Sequence, residues 1–268
     1  MAFHLEMYSS SIVSTSNTSL KQVTSINNGM VPPLLSGFQV PPQLPKLGFV
    51  AGYSTHLTEI RMQAASMKPW PYINLSPQNR GSAFESPPRV FDMMANPVIL
   101  DPTEELDAFA AAGNFTETAY ICILFTDGIY LPRPAGRMFT VHATAAVTLT
   151  AGAMTPVTPV FDETLPAAQG GARMYAVIGA RYYSATAGFF QLLPAAQPSW
   201  RPGGIGVQAY DQLDPPGQRG YGWYSGGYQP WGIWLTFQQN VPPVFNCFAT
   251  SADTAEEFWL DLVAIGAP

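Results

Sequence analysis

Polar and apolar residues alternate with a period of two along most of this chain, and Pro or Gly interrupts the alternation about every 8 to 15 residues. Thr140, His142, Thr144 and Thr148 interleave with Val141, Ala143, Ala145 and Leu149, the pattern of a strand with one wet face and one buried face. Strands are predicted over residues 56–62, 98–100, 118–125, 138–149, 155–161, 174–182, 187–193, 206–210, 232–237, 244–249 and 257–265. Turn chemistry separates them at Thr126-Asp127-Gly128, Pro132-Arg133-Pro134-Ala135-Gly136, Arg201-Pro202-Gly203-Gly204 and Asp214-Pro215-Pro216-Gly217. Gly supplies positive φ in such turns, Pro presets φ, and Asp bonds its own backbone. This rhythm predicts an all-β protein.

Residues 101–113 fit two readings. Asp101 as N-cap, Pro102 at the first helical position, Glu104 in the first turn and Gly113 as a stop describe a short helix. A tight turn at residues 101–104 feeding a strand fits equally well, because strand-like segments lie on both sides.

The amino-terminal region is different in kind. Ser, Thr and Asn dominate residues 9–28, and then Pro32, Pro33, Pro41, Pro42 and Pro45 follow beside Leu34, Leu35, Phe38, Val40 and Leu44. Such a segment is too apolar for ordinary disorder and too rich in Pro for regular structure, which predicts an extended arm draped over a neighbour. The resulting plan has residues 1–50 as arm and first strands, 51–134 as a first β-sandwich and 135–268 as a second. Residues 1–45 are then expected to be dispensable for folding. No repeat of fixed period is visible.

Composition sharpens the picture. Only 11% of the residues are charged, against roughly 25% in an ordinary soluble domain. Residues 220–252 contain no Asp, Glu, Lys or Arg, yet carry Tyr221, Trp223, Tyr224, Tyr228, Trp231, Trp234, Phe237, Phe245 and Phe248. A face so poor in charge is expected to be covered, either as core or by other copies of the chain. Of the 12 basic residues most are Arg, and all are scattered singly in a chain of net charge −6. No basic cluster follows a phosphate backbone, so sequence-specific nucleic-acid binding is not expected. The start of the chain lacks the basic and continuously apolar parts of a signal peptide, and no transmembrane segment is expected.

Chemistry-bearing motifs are sparse. Cys122 and Cys247 sit in apolar runs and read as buried thiols. His4, His56 and His142 read as strand-face residues, remote in sequence spacing from recognisable metal or base partners. Gly204-Ile205-Gly206-Val207-Gln208-Ala209 matches a dinucleotide fingerprint by letters only, since no helix follows to meet a pyrophosphate. Two acidic groups, Asp101, Glu104, Glu105, Asp107 and Asp253, Glu256, Glu257, Asp261, lack the spacing of a calcium loop and read as solvated turns. No cofactor, metal or catalytic residue is expected.

Three segments carry a likeness to a known family: RPAGRMFTVHATAAVTLTAGAMTPVTPVFDETLPAAQGGARMYAVIGARYYSATAGFFQLLP, SWRPGGIGVQAY and FATSADTAEEFWLDLVAI. In style and length the chain resembles the jelly-roll major capsid proteins of small icosahedral bacteriophages with an internal membrane, the corticovirus and finnlakevirus types. That resemblance implies a jelly-roll β-sandwich, two jelly rolls in one chain, and a virion structural protein made in the host cytoplasm. Its implied partners are further copies of itself as homotrimers or larger assemblies, other capsid proteins and an underlying lipid membrane. The contact residues expected for such a subunit are Leu34, Leu35 and Phe38 in the arm, Trp223, Tyr224 and Trp231 in the aromatic stretch, and Arg201 and Arg219 as polar anchors. Two other readings stay open: a β-sandwich module for carbohydrate binding or host attachment, and a glycoside-acting enzyme built on a carboxylate pair.

Overall fold

A computed structural model describes residues 3–13, 20–22, 24–25, 40–54, 59–67, 73–75, 78–79, 90–93, 96–111, 116–129, 134–167, 173–184, 188–193, 201–205, 207–208, 232–249, 252, 254 and 256–266. Among them strands are the regular structure, with one 3-10 turn at Ala65–Met67 and no α-helix. The chain divides into two compact units, His4–Gly128 and Ile129–Pro268, the latter with Met1–Phe3. Gly128 ends the first in the predicted turn, at φ 72°. Its N–H bonds Thr126 Oγ1 at 3.0 Å, and a Cβ there would run into the Lys46 side chain.

The first unit holds β1 (Phe3–Val13), β2 (Leu20–Gln22), β3 (Thr24–Ser25), β4 (Lys46–Ser54), β5 (Glu59–Ala64), β6 (Ile73–Leu75), β7 (Gln78–Asn79), β8 (Val90–Asp92), β9 (Val98–Ile99), β10 (Leu106–Ala111) and β11 (Thr116–Thr126). One sheet runs β3-β1-β11-β4-β7, with β8 and β9 also paired to β4; the other runs β2-β10-β5-β6. Leu5, Leu47, Phe49, Met62, Leu106, Ile121, Ile123 and Phe125 are buried completely.

The second unit holds β12 (Met138–Ala145), β13 (Met154–Val157), β14 (Val160–Phe161), β15 (Met174–Ser184), β16 (Gly188–Leu193), β17 (Gly203–Ile205), β18 (Val207–Gln208), β19 (Leu235–Gln238), β20 (Val244–Ala249) and β21 (Glu256–Gly266). Its sheets run β14-β12-β21-β15-β18, with β19 on β15, and β13-β20-β16-β17. Rings from both sheets meet in its core. Tyr182 of β15 stacks on Phe258 of β21 at 5.3 Å, Phe258 meets Phe245 of β20 at 4.1 Å, and Phe245 meets Phe190 of β16 at 5.9 Å. That interdigitation of two inner faces is sandwich packing.

Residues 101–111 settle as a turn and a strand. Pro102 and Thr103 occupy the turn, Thr103 at φ 67°, and residues 106–111 pair with β5 on one side while 109–111 pair with β2 on the other. A helix of this length is marginal alone, whereas ladders on both flanks satisfy the same backbone groups. The predicted strand at 155–161 splits in two. Val157 ends β13 in one sheet and Val160 begins β14 in the other, because Pro159 has no N–H to continue a ladder.

Residues 1–45 include β1, β2 and β3, and His4, Leu5, Val40 and Leu44 are buried. The expectation that they are dispensable is therefore replaced by its opposite. Deleting residues 1–45 should strip strands from both sheets of the first unit, and loss of native near-ultraviolet dichroism with rapid proteolysis of residues 46–128 is the expected outcome.

Candidate functional site

Charged side chains gather on the outer face of the sheet formed by β12, β21 and β15. Register places Thr140 opposite Asp261, His142 opposite Trp259, and Trp259 opposite Arg181. The alternate residues Val141, Ala143, Phe258, Leu260, Ala180 and Tyr182 are buried, so the period-two pattern is what sends these polar groups outward.

Arg181 Nη2 donates to Asp261 Oδ1 at 2.6 Å, and Thr140 Oγ1 donates to the same oxygen at 2.5 Å. The Asp261 side chain is only 5% exposed, so these two donors replace most of the water it loses. His142 Nδ1 lies 2.5 Å from Asp162 Oδ2. Its Nε2 lies 3.4 Å from Glu257 Oε2, an ion-pair distance without hydrogen-bond alignment. The ring packs on Trp259 with centroids 4.9 Å apart. His142 thus does have carboxylate neighbours, which sequence spacing could not reveal because Asp162, just past β14, and Glu257, on β21, are brought in by other segments.

A histidine oriented by a carboxylate is one half of a catalytic pair, but here the second ring nitrogen faces another carboxylate rather than a hydroxyl or thiol. The two acids also address opposite ring nitrogens, so the three groups do not converge on one cation. Among the described residues no group of three or more His, Cys, Asp or Glu side chains could hold a metal ion. The network clamps β14, β12, β21 and β15 together.

The acidic group at 101–107 is likewise structural. Glu104 Oε1 accepts the Asp101 N–H at 2.7 Å and the Ser66 hydroxyl, and Oε2 accepts the Ser66 N–H at 2.9 Å. This carboxylate ties the 3-10 turn to the turn before β10. In the other acidic group Glu256 and Asp261 are buried and Glu257 is partly so, while Asp253 lies outside the described residues.

Cys122 and Cys247 are both buried thiols. Burial pushes the Cys247 thiol well above its ordinary range, the nearby Glu256 carboxylate pushes it further, and a hydrogen bond with Tyr182 opposes them. His4 pairs with Glu6 at 3.2 Å in a buried position, another carboxylate partner that its sequence context left unread. Of the Gly204–Ala209 letters, Gly204 and Ile205 fall on β17 and Val207 and Gln208 on β18, with no α-helix among the described residues.

Of the expected contact residues, Arg201 is buried at 8% exposure, just before β17. Leu34, Leu35, Phe38, Trp223, Tyr224, Trp231 and Arg219 lie outside the described residues, as does His56. Within the charge-free stretch, Trp234, Phe237, Phe245 and Phe248 are core residues. Part of that stretch is therefore covered by the chain itself.

No protein-family model, curated protein or solved structure matches the chain. No helix among the described residues is long and apolar enough to cross a membrane.

Two outcomes follow from this geometry. Arg181→Met should cost about 2–3 kcal/mol by stranding the buried Asp261 carboxylate, and Arg181→Met with Asp261→Leu should cost less than the single change, as read by chemical denaturation. Because the thiolate of Cys247 is disfavoured, raising the pH through about 8–9, where an ordinary thiol ionises, should not speed its alkylation in the native protein. Prompt native labelling would place it outside the core.

Proposed function

We propose that this chain is a structural protein, the major capsid subunit of an icosahedral virion, built as a double jelly roll and acting by self-assembly. The observation that carries the proposal is the pairing scheme that both units share. In the first, β1 pairs with β11, β2 with β10, β4 with β8, and β5 with β6. In the second, β12 pairs with β21, β13 with β20, β15 with β19, and β16 with β17. With the short strands β3, β7, β9, β14 and β18 set aside as additions paired to β1, β4, β12 and β15, first goes with last, second with last but one, and so inwards, as when one long antiparallel hairpin is rolled into two sheets. Winding of this kind is what an eight-stranded jelly roll requires.

Composition supports the same reading. A monomer with 11% charged residues has little to keep its surface from associating. Polar side chains on the outer face of the β12, β21 and β15 sheet bond one another, which is the behaviour of framework rather than of a binding cleft. Leu34, Leu35 and Phe38 together with Trp223, Tyr224, Trp231 and Arg219 are the side chains proposed to touch neighbouring copies. Arg201, being buried, is proposed to brace the segment entering β17.

Sedimentation and electron microscopy of the purified chain test the proposal. Trimers or larger assemblies are expected at roughly micromolar concentration, since exposed apolar area beyond a few hundred Å² drives association. Changing Leu34, Leu35 and Phe38 together to Ser should weaken assembly at least about tenfold, the equivalent of losing one modest contact, while leaving the dichroism spectrum unchanged. A stable monomer at that concentration, or Ser variants that assemble as the parent does, would count against the capsid reading and the arm contact respectively.

A further inference from the structure

We infer that the two units are diverged copies of one ancestral unit, and that each has kept a cross-strand Gln–Asx pair that locks the register of its second sheet. This goes beyond the functional proposal and does not rest on it. A shared pairing scheme alone could arise twice, so the weight falls on irregularities and side chains at matching positions.

The first match is a β-bulge. Between β11 and β4, Leu124 faces Phe49 and Phe125 faces Leu47, leaving Gly48 as the extra residue. Between β21 and β15, Asp261 faces Gly179 and Leu262 faces Val177, leaving Ile178 as the extra residue. Both bulges sit on the strand at the same place in the winding. Bulges persist within families because moving one re-aims every later side chain. The further register shift in β15 at Met174 lies beyond the stretch that β4 shares.

Counting forward from each bulge gives a second match. Five residues after Gly48 comes Tyr53-Ser54, and five after Ile178 comes Tyr183-Ser184. Each dipeptide makes a two-residue parallel pairing, Tyr53 and Ser54 with Gln78 and Asn79, Tyr183 and Ser184 with Val207 and Gln208. Among the described strand pairs, these are the parallel ones between named strands.

The second sheets match as well. Gln63 of β5 faces Asp107 of β10, and Gln191 of β16 faces Asn246 of β20. The side chains bond across the ladder, Gln63 Nε2 to Asp107 Oδ2 at 3.4 Å and Asn246 Nδ2 to Gln191 Oε1 at 3.1 Å. Two positions beyond each Asx stands Phe followed by Ala, Phe109-Ala110 and Phe248-Ala249.

Where the copies differ, burial explains the difference. Gln63 and Asp107 are partly exposed, and a carboxylate is tolerated there. Gln191 and Asn246 are 0% and 2% exposed, where a carboxylate would have to shed its water beside a neutral amide. An amide at 246 fills the same shape without the charge.

Two experiments decide it. In an experimental structure, superposing β15 on β4 should bring Ile178 onto Gly48, Gln191 onto Gln63 and Asn246 onto Asp107; a displacement of one residue at either pair overturns the common origin. In the intact chain, Asp107→Asn should change the folding equilibrium less than about threefold, while Asn246→Asp should lower it at least about tenfold at neutral pH. The second loss should shrink as acid protonates the introduced carboxyl. Equal tolerance of the two exchanges overturns the lock. If Asn246→Asp yields no folded protein, a double-mutant cycle of Gln191→Ala and Asn246→Ala decides instead: non-additive losses support the lock, and additive losses overturn it.

Discussion

Backbone pairing between strands far apart in sequence is the constraint on which everything else depends. With no α-helix among the described residues, the N–H and C=O groups of this chain cannot be satisfied locally. They are satisfied by ladders such as β12 with β21, where Met138 faces Val263 and Ala145 faces Glu256. Each such ladder closes a loop of most of its unit, and the entropy of that closure must be offset by what the paired strands bury. Hence the aromatic core of the second unit, where Tyr182, Phe190, Phe245 and Phe258 join its two sheets.

The same constraint explains where charge is spent. Asp261, Glu104 and His142 each bind partners from a different strand or turn, so the few ionisable groups near the sheets act as cross-links between segments that sequence separates. Arg181 with Asp261 ties β15 to β21, His142 with Asp162 ties the two-residue edge strand β14 to β12, and Glu104 ties two turns. Surface pairs contribute little alone, but a buried acceptor held by two donors penalises any register that removes one of them.

The second unit was legible almost strand by strand: 138–145 alternates cleanly between a wet and a buried face, while 174–184, 188–193, 244–249 and 256–266 are strands buried over most of their length. The first unit was harder to read. Residues 46–54 contain Gly48, Ala51 and Gly52 among their apolar residues and are buried at 47–50, so alternation was lost. Residues 101–111 carried true helix-start chemistry that long-range pairing overrode. The polar network was invisible because its members meet by register, which one sequence does not disclose. So was the repeat: loops of unequal length separate matching residues, and a search for fixed period finds nothing when Gln63 matches Gln191 but Asp107 matches Asn246.

What the two units hold in common bears on what selection has kept. The shared features are a bulge and a two-residue parallel pairing, both properties of backbone geometry, and a cross-strand Gln–Asx bond that fixes register. Side chains flanking that pair have diverged, since Arg61 faces Phe109 in one unit where the buried Phe189 faces the buried Phe248 in the other. A duplicated sandwich keeps its fold as long as register and bulge position hold, and side chains that do not set register are free to diverge. In each unit the bulged strand and the Gln–Asx pair together fix that register, which is why both persist where the flanking pair at Arg61 and Phe189 does not.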